Sequence, residues 1–246
     1  MLSANVIRAV FRREMKGYFD TPVAYVFLVV FLLLASLLTF FLSNWYELEK
    51  ASLEPFFAWH PWLYLFLVPA ISMRLWAEER RLGTLELLLT LPVRTWELII
   101  AKALSAWCFL LIALALSFPY WITVNLLGDP DNGLIISGYL ASALLGAALV
   151  SLGSALSSGT HNQVIAFVLT ITVSFLFLAS GFNLVTGFFS GWLPQWAVDV
   201  LGAFSFLNHF DSIARGLLSM HSVLFFLSFI AMWLMITYVN LVYWRR

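Results

Sequence analysis

The sequence has few charged residues and almost no cysteine. Only 11% of its 246 residues are Asp, Glu, Lys or Arg, whereas 62% are hydrophobic. A soluble domain has about a quarter of its residues charged, so this composition excludes a water-soluble protein and indicates an integral membrane protein. The formal net charge is zero, which argues against nucleic acid as a partner. The single cysteine, Cys108, excludes an intrachain disulfide and a thiolate metal cluster.

The usual signatures of catalysis are also missing. The chain has three lysines, Lys16, Lys50 and Lys102, and none completes the GxxxxGK[ST] loop that holds nucleotide phosphates. The middles of the apolar runs contain no ionisable residue, although such residues would mark a functional site at membrane depth. We therefore expect no enzymatic reaction, no metal site and no cofactor bound by this chain.

Six apolar runs are long enough to cross a bilayer as helices, which takes about 20 residues. They lie at about 22–43, 55–73, 97–127, 134–156, 164–186 and 222–244. Residues 1–20 predict an amphipathic helix at the membrane surface, and 74–96 form a long polar loop. Polar residues interrupt 187–221, which predicts two short helices at the outer face. The chain is thus predicted to be a single all-α transmembrane domain spanning 1–246.

The basic residues predict the orientation of these spans. Eleven of the thirteen Lys and Arg residues fall in 1–20, in 74–102 and at the C-terminus, and the other two are Lys50 and Arg215. Because Lys and Arg near span ends mark the cytoplasmic side, we expect both termini to be cytoplasmic.

The stretch 74–102 is the longest polar interruption in the chain. Inside it, Gly83 and Pro92 bracket a short apolar helix predicted from Thr84 to Leu91. Leu82, Leu85 and Leu89 fall on one face at helical spacing, with Leu88 beside them. Such a helix either offers a surface to a partner or lies among lipid headgroups, and the pattern alone leaves both open.

Two patterns further along the chain have an ordinary and a functional interpretation. Asp211 and Arg215 are four residues apart on a predicted short outer helix, which favours a local ion pair over a gate. The run GSALSSG at 153–159 contains serines without a neighbouring base. Its small residues, with Gly146 nearby, therefore predict close helix packing rather than nucleophilic chemistry.

The run PAISMRLWAEERRLGTLELLLTLPVRTWELIIAK at 69–102 resembles the conserved cytoplasmic loop of ABC-2 type transporter permeases. The matching positions are Glu78, Glu79, Gly83, Thr84, Glu86, Leu87, Leu88 and Pro92. Met73 and Arg74, with the run NHFDSIARGLLSM at 208–220, are similar to the subgroup named for gliding-motility permeases. The order of the predicted elements also resembles this family, whose fold is that of type V exporters.

The resemblance implies that the short helix is a coupling helix, which docks into a groove on a separate ATP-binding subunit. Leu85 and Leu89 would enter that groove. The charged residues expected to pair around it are Glu78, Glu79, Arg80, Arg81 and Glu86. ATP and Mg would be bound by two copies of the ATPase, and a second permease subunit would complete the assembly in a bacterial inner membrane.

Two functions are compatible with this resemblance. In the first, the chain is the permease of an ATP-driven exporter or lipid/polymer translocase, and its uncharged spans suit an amphiphilic or hydrophobic cargo. In the second, it is a mechanotransmitter in which the ATPase cycle drives a membrane-anchored extracytoplasmic partner in motility or surface assembly. A scaffold without an ATPase is disfavoured by the detailed match over 78–92.

Overall fold

The computed structural model describes residues 3–43, 45, 51–90, 93–182, 185, 187, 194–217 and 219–244. Every regular element within these ranges is helical, which confirms the all-α prediction for them. The helices, in chain order, are α1 (Ser3–Phe19), α2 (Pro22–Leu37) with a π-helical extension (Leu38–Leu42), α3 (Glu54–Ala58), α4 (His60–Ser72), α5 (Arg74–Arg81), α6 (Thr84–Thr90), α7 (Thr95–Leu116), α8 (Phe118–Leu127), α9 (Asn132–Ser158), α10 (Gln163–Ala179), α11 (Gln195–Ala203), α12 (Phe206–Ala214) and α13 (Met220–Trp244).

Four stretches in the described part of the chain are long and apolar enough to cross a membrane. They are Ala24–Leu42, Thr95–Leu127, Asn132–Ser158 and Met220–Tyr243. The predicted spans at 55–73 and 164–186 contain shorter helices, α4 with 13 residues and α10 with 17. The protein is therefore a multi-pass membrane protein, and the count of six spans stays a prediction.

Proline explains why two of the predicted spans are divided. Pro61 has no backbone N–H to donate within a continuous helix, and the helix is interrupted at Trp59, between α3 and α4. Pro119 lies in the first turn of α8, and the helix is interrupted at Ser117 between α7 and α8. Hydropathy alone cannot detect these breaks, because proline and its neighbours leave the runs apolar.

Helix α9 occupies the centre of the bundle and contacts α4, α5, α7, α10, α12 and α13. Three of its glycines lie against side chains of other helices: Gly138 against Phe57 of α3, Gly146 against Leu110 of α7, and Gly153 against Ser72 of α4. Serines on the same helix are buried at Ser142, Ser151 and Ser154. The small residues therefore let neighbouring helices approach closely, as predicted for Gly146 and Gly153.

The helix ends form two groups, one at each end of the bundle. The loop end comprises α1, α5, α6, the first turns of α7 and the last turns of α9 and α13. There, Arg13 of α1 bonds to Glu79 of α5 at 3.1 Å. The cap end comprises α3, α8, the first turns of α9 and α12, where the Ser137 hydroxyl donates to the Ala214 carbonyl at 3.4 Å. The polar stretch after α4 and the segment that contains α11 and α12 thus lie at opposite ends of the bundle.

We predict that Gly153→Ala destabilises the protein. A methyl group at this position would lie 2.5 Å from the Ser72 Cβ, and overpacking of this kind typically costs about 1–3 kcal/mol. Gly17→Ala on α1 is the matched control, because no atom lies within 4 Å of its added methyl group. Thermal unfolding in detergent should show a lower midpoint for Gly153→Ala only. Equal midpoints would mean that α4 and α9 are not closely packed.

Candidate functional site

The polar stretch 74–102 folds as α5, a turn, α6 and the first turns of α7, beside α1. It contains most of the predicted site residues: Glu78, Glu79, Arg80 and Arg81 on α5, Gly83 in the turn, and Thr84, Leu85, Glu86 and Leu89 on α6. Helix α6 ends at Thr90. Leu91, Pro92 and the side chain of Leu89 lie outside the described part of the chain.

Gly83 ends α5 and allows α6 to start in a new direction. Its φ is +69°, in the left-handed region that a side chain disfavours. The Gly83 N–H donates to the Arg80 carbonyl at 3.1 Å, and the Leu82 N–H donates to the Glu78 carbonyl at 3.0 Å. These bonds close the last turn of α5, which agrees with the prediction that Gly83 ends the preceding segment.

The orientation of α6 differs from the one expected. Leu85 was predicted to face outwards, but only 6% of its surface is exposed, and Leu88 is equally buried. The outward side instead presents Glu86, Leu87 and Thr90, and Leu87 is 69% exposed. Helical periodicity could not decide this, because consecutive leucines occur on both sides of a seven-residue helix.

A serine from α9 holds the start of α5. The Ser157 hydroxyl oxygen accepts from the Trp76 N–H at 3.1 Å and the Ala77 N–H at 3.0 Å, and the hydroxyl donates to the Met73 carbonyl at 2.9 Å. Backbone N–H groups in the first turn of a helix need such an acceptor. The Trp76 indole also donates to Ser154 at 2.9 Å. Helix α5 is therefore fixed to α9 through two of its own adjacent residues, Trp76 and Ala77.

A buried lysine brings three elements together at the loop end. Lys102, on the second turn of α7, is 2% exposed, and its Nζ lies 2.9 Å from Glu14 of α1 and 3.1 Å from Glu79 of α5. Arg13 contacts both carboxylates, at 2.7 Å for Glu14 and 3.1 Å for Glu79. The Lys102 ammonium also lies 5.4 Å from the centroid of the Trp76 ring. We call Arg13, Glu14, Glu79 and Lys102 the charge cluster.

Glu79 also contacts α6. Its carboxylate and its backbone carbonyl both accept from the Thr84 hydroxyl at the start of that helix. Burial acts to raise the pKa of Glu79, but Lys102, Thr84 and Arg13 outweigh it, so the pKa lies below its ordinary value. The folded state therefore favours the ionised carboxylate. Its stabilising contribution is complete above the unfolded-state pKa and is lost as the pH falls through the lower folded-state value.

Sequence reasoning missed the partners of Glu79. Its ionic partners, Arg13 of α1 and Lys102 of α7, are distant from it along the chain, and no local spacing connects them. One signal was present: a lysine within an apolar helix is costly unless it has a partner. Lys102 therefore required an acid from another segment, although the sequence could not say which one.

The predicted outer residues line a cavity at the cap end. Asp211 and Arg215 border a space of about 570 Å³ that Glu54, Asp129 and Asp131 also line. Burial raises the pKa of Asp211 above its ordinary value, Arg215 opposes this rise and Glu54 adds to it. The ion pairs within 4 Å in the described ranges do not include Asp211 with Arg215. A gating role for the two residues stays a prediction.

A family comparison covers most of this architecture. A sequence model described as "ABC-2 family transporter protein" matches residues 63–243. The chain belongs to the ABC-2 transporter family. No curated protein matches its sequence. Family membership makes the chain a membrane component of an ABC transporter and implies an ABC ATPase as its partner.

The match includes both regions described above. The ABC-2 model begins at residue 63, within α4, so it contains α5, α6 and α7 as well as α11 and α12. Helix α1 lies before the matched range, although Arg13 and Glu14 contact the matched loop directly. In this ABC-2 protein, the charge cluster therefore joins family-matched residues to residues that precede the match.

We predict that Ser157→Ala loosens α5 in the ABC-2 protein. The change removes the acceptor shared by two N–H groups, and an unsatisfied buried donor costs about 1–3 kcal/mol. Hydrogen exchange over 74–81 should become about tenfold faster or more, as a loss of 1.4 kcal/mol implies. Ser151→Ala is the control, because the buried Ser151 hydroxyl donates only within its own helix, to the Ala148 carbonyl at 2.7 Å. Equal exchange in the two variants would contradict the capping role.

Proposed function

We propose that this chain is the permease subunit of an ATP-binding cassette exporter and that a separate ATPase docks on α6. The observation that carries the proposal is the outward side of α6, where Glu86 and Leu87 are exposed on a helix joined to α1 and α7 through Glu79. An exposed leucine suits the apolar centre of a protein interface, and a charged residue beside it suits the polar rim. ATP and Mg are bound by the partner.

The proposed assembly contains two ATPases and two permease subunits in a bacterial inner membrane. Six spans give the chain cytoplasmic termini on the same side as the loop end. The positive-inside rule supports this orientation, since Arg8, Arg12 and Lys16 are exposed on α1 at the loop end. The cap end is then extracytoplasmic. Closure of the two ATPases would push the α6 helices together and rock the spans of both subunits.

Some residues that the sequence placed in the coupling surface have a different role in this proposal. Leu85 is buried and supports α6 from within, whereas Leu87 replaces it as the apolar contact to the ATPase. Arg81 is exposed and lies 3.9 Å from Glu78, a surface pair of little energetic weight. Both side chains are therefore free to pair with charges on the ATPase. Glu79 is engaged within the chain.

A second candidate function is mechanotransmission to an extracytoplasmic partner. The similarity of Met73, Arg74 and the run 208–220 to gliding-motility permeases supports it. So does the cavity at the cap end, because its four carboxylates would suit a basic segment of a membrane-anchored protein. The exporter remains our first proposal, since membership of the ABC-2 transporter family supports a transport function.

We predict that Glu86→Arg combined with Leu87→Asp prevents ATPase docking. The first change reverses a charge, and the second places a carboxylate in an apolar contact. Affinity should fall at least about tenfold, as it does when a central interface residue is lost. The measurement is the amount of ATPase that co-purifies with the tagged permease in mild detergent. Leu217→Asp is the control, because Leu217 is a 65% exposed leucine in the outer segment after α12.

Retention of the ATPase by the double variant would contradict docking on α6. If the permease purifies alone even as wild type with its co-expressed ATPase, the exporter proposal itself fails, and α6 is better explained as a helix lying on lipid.

We predict that Asp211→Ala with Arg215→Ala leaves ATPase co-purification unchanged, because these residues lie at the cap end. If the chain is a mechanotransmitter, the same variant should lose a co-purifying extracytoplasmic protein. If it is an exporter, no such protein should be present, and an amphiphilic cargo should stimulate ATP hydrolysis by the complex. Loss of the ATPase in this variant would contradict the separation of the two ends.

A further inference from the structure

We propose that the Glu79 carboxylate is the joint through which movement of α6 reaches α1 and α7, with Lys102 as a positioning residue. This inference rests on the proposed function, because it assigns the internal path of a force that the ATPase applies at α6. It concerns residues inside the chain rather than the docking surface.

The two oxygens of Glu79 contact different helices. Oε2 accepts from the Thr84 hydroxyl at the start of α6. Oε1 accepts from Lys102 of α7 at 3.1 Å and from Arg13 of α1 at 3.1 Å. One side chain on α5 therefore joins three other helices. A displacement of α6 must carry Glu79 with it or break the bond to Thr84.

Burial makes the contacts of Lys102 with Glu14 and Glu79 persistent. Lys102 is 2% exposed and lies between two carboxylates. Separating a buried ion pair is much harder than separating a surface pair, because each charge is left without a partner in a low-dielectric interior. The pairs should therefore stay closed while the helices move. A shift of Glu79 then moves Lys102 and α7, and through the pair of Lys102 with Glu14 it moves α1.

The charge balance of the cluster determines which variants test this role. Two carboxylates, Glu14 and Glu79, face two cations, Arg13 and Lys102. Lys102→Met alone leaves two acids with one cation and risks misfolding. Glu79→Gln combined with Lys102→Met removes one charge of each sign and leaves the 2.7 Å pair of Arg13 with Glu14 intact. The double variant is therefore the one to use.

The experiment compares hydrogen exchange in the purified permease–ATPase complex with and without ATP, Mg and vanadate. The reporters are α6, which receives the force, and α1, which is distant in sequence and linked through Glu14 and Arg13. In the wild-type complex we expect the nucleotide to change exchange in both helices. A coupling of ordinary strength corresponds to about a tenfold change in α1.

In the double variant, the ATPase should still bind and α6 should still respond, but the nucleotide-dependent change in α1 should fall below about twofold. Lys16→Met is the control for loss of a lysine, because Lys16 is exposed on α1 outside the charge cluster. It should respond like the wild type. A purely structural role would change exchange equally with and without nucleotide, so the ratio measures transmission.

Two results would contradict the proposed role of Glu79 in transmitting movement from α6. One is a full nucleotide response of α1 in the double variant, and the other is a wild-type complex in which α1 does not respond while α6 does. Both results leave the ATPase bound and the proposed function intact. Failure of the proposed function is a separate outcome, in which the wild-type permease binds no ATPase.

Discussion

Close approach of neighbouring helices to the α9 backbone is the constraint on which the arrangement of the bundle depends. Glycine at 138, 146 and 153 lets side chains of α3, α7 and α4 reach the α9 backbone. Inside a bilayer the hydrophobic effect does not hold helices together, so association depends on packing and hydrogen bonds. Small residues in this one helix therefore set the positions of its neighbours. The loop end and the cap end of the bundle, which carry the candidate sites, both include helices that pack against α9.

The loop end adds a second constraint, because polar groups there are buried rather than solvated. Lys102 is acceptable inside the protein only because Glu14 and Glu79 surround its ammonium group. The start of α5 depends in the same way on Ser157. These contacts cross between helices rather than along them. Consequently, the short helices at this end form one unit with α1, α7 and α9, although each is too short to be stable alone.

Composition and hydropathy predicted the helical membrane fold, the turn at Gly83 and the close packing at Gly146 and Gly153, since each depends on local residue type. The orientation of α6 was not predictable, because Leu85 and Leu87 are equivalent in composition and only the surrounding helices distinguish them. The breaks at Trp59 and Ser117 follow from Pro61 and Pro119 but leave hydropathy unchanged. The contacts of Lys102 and Ser157 connect distant segments, so periodicity gives no information about them.

The capping of α5 by Ser157 also imposes an order on biosynthesis. The acceptor lies 81 residues after the Trp76 N–H that it binds, so the ribosome makes α5 and α6 long before the cap exists. The first turn of α5 can be completed only after α7, α8 and α9 have been synthesised and α9 has come to lie beside it. A nascent chain that ends before α9 therefore lacks a finished loop end, and only a chain with its central helix in place can present it.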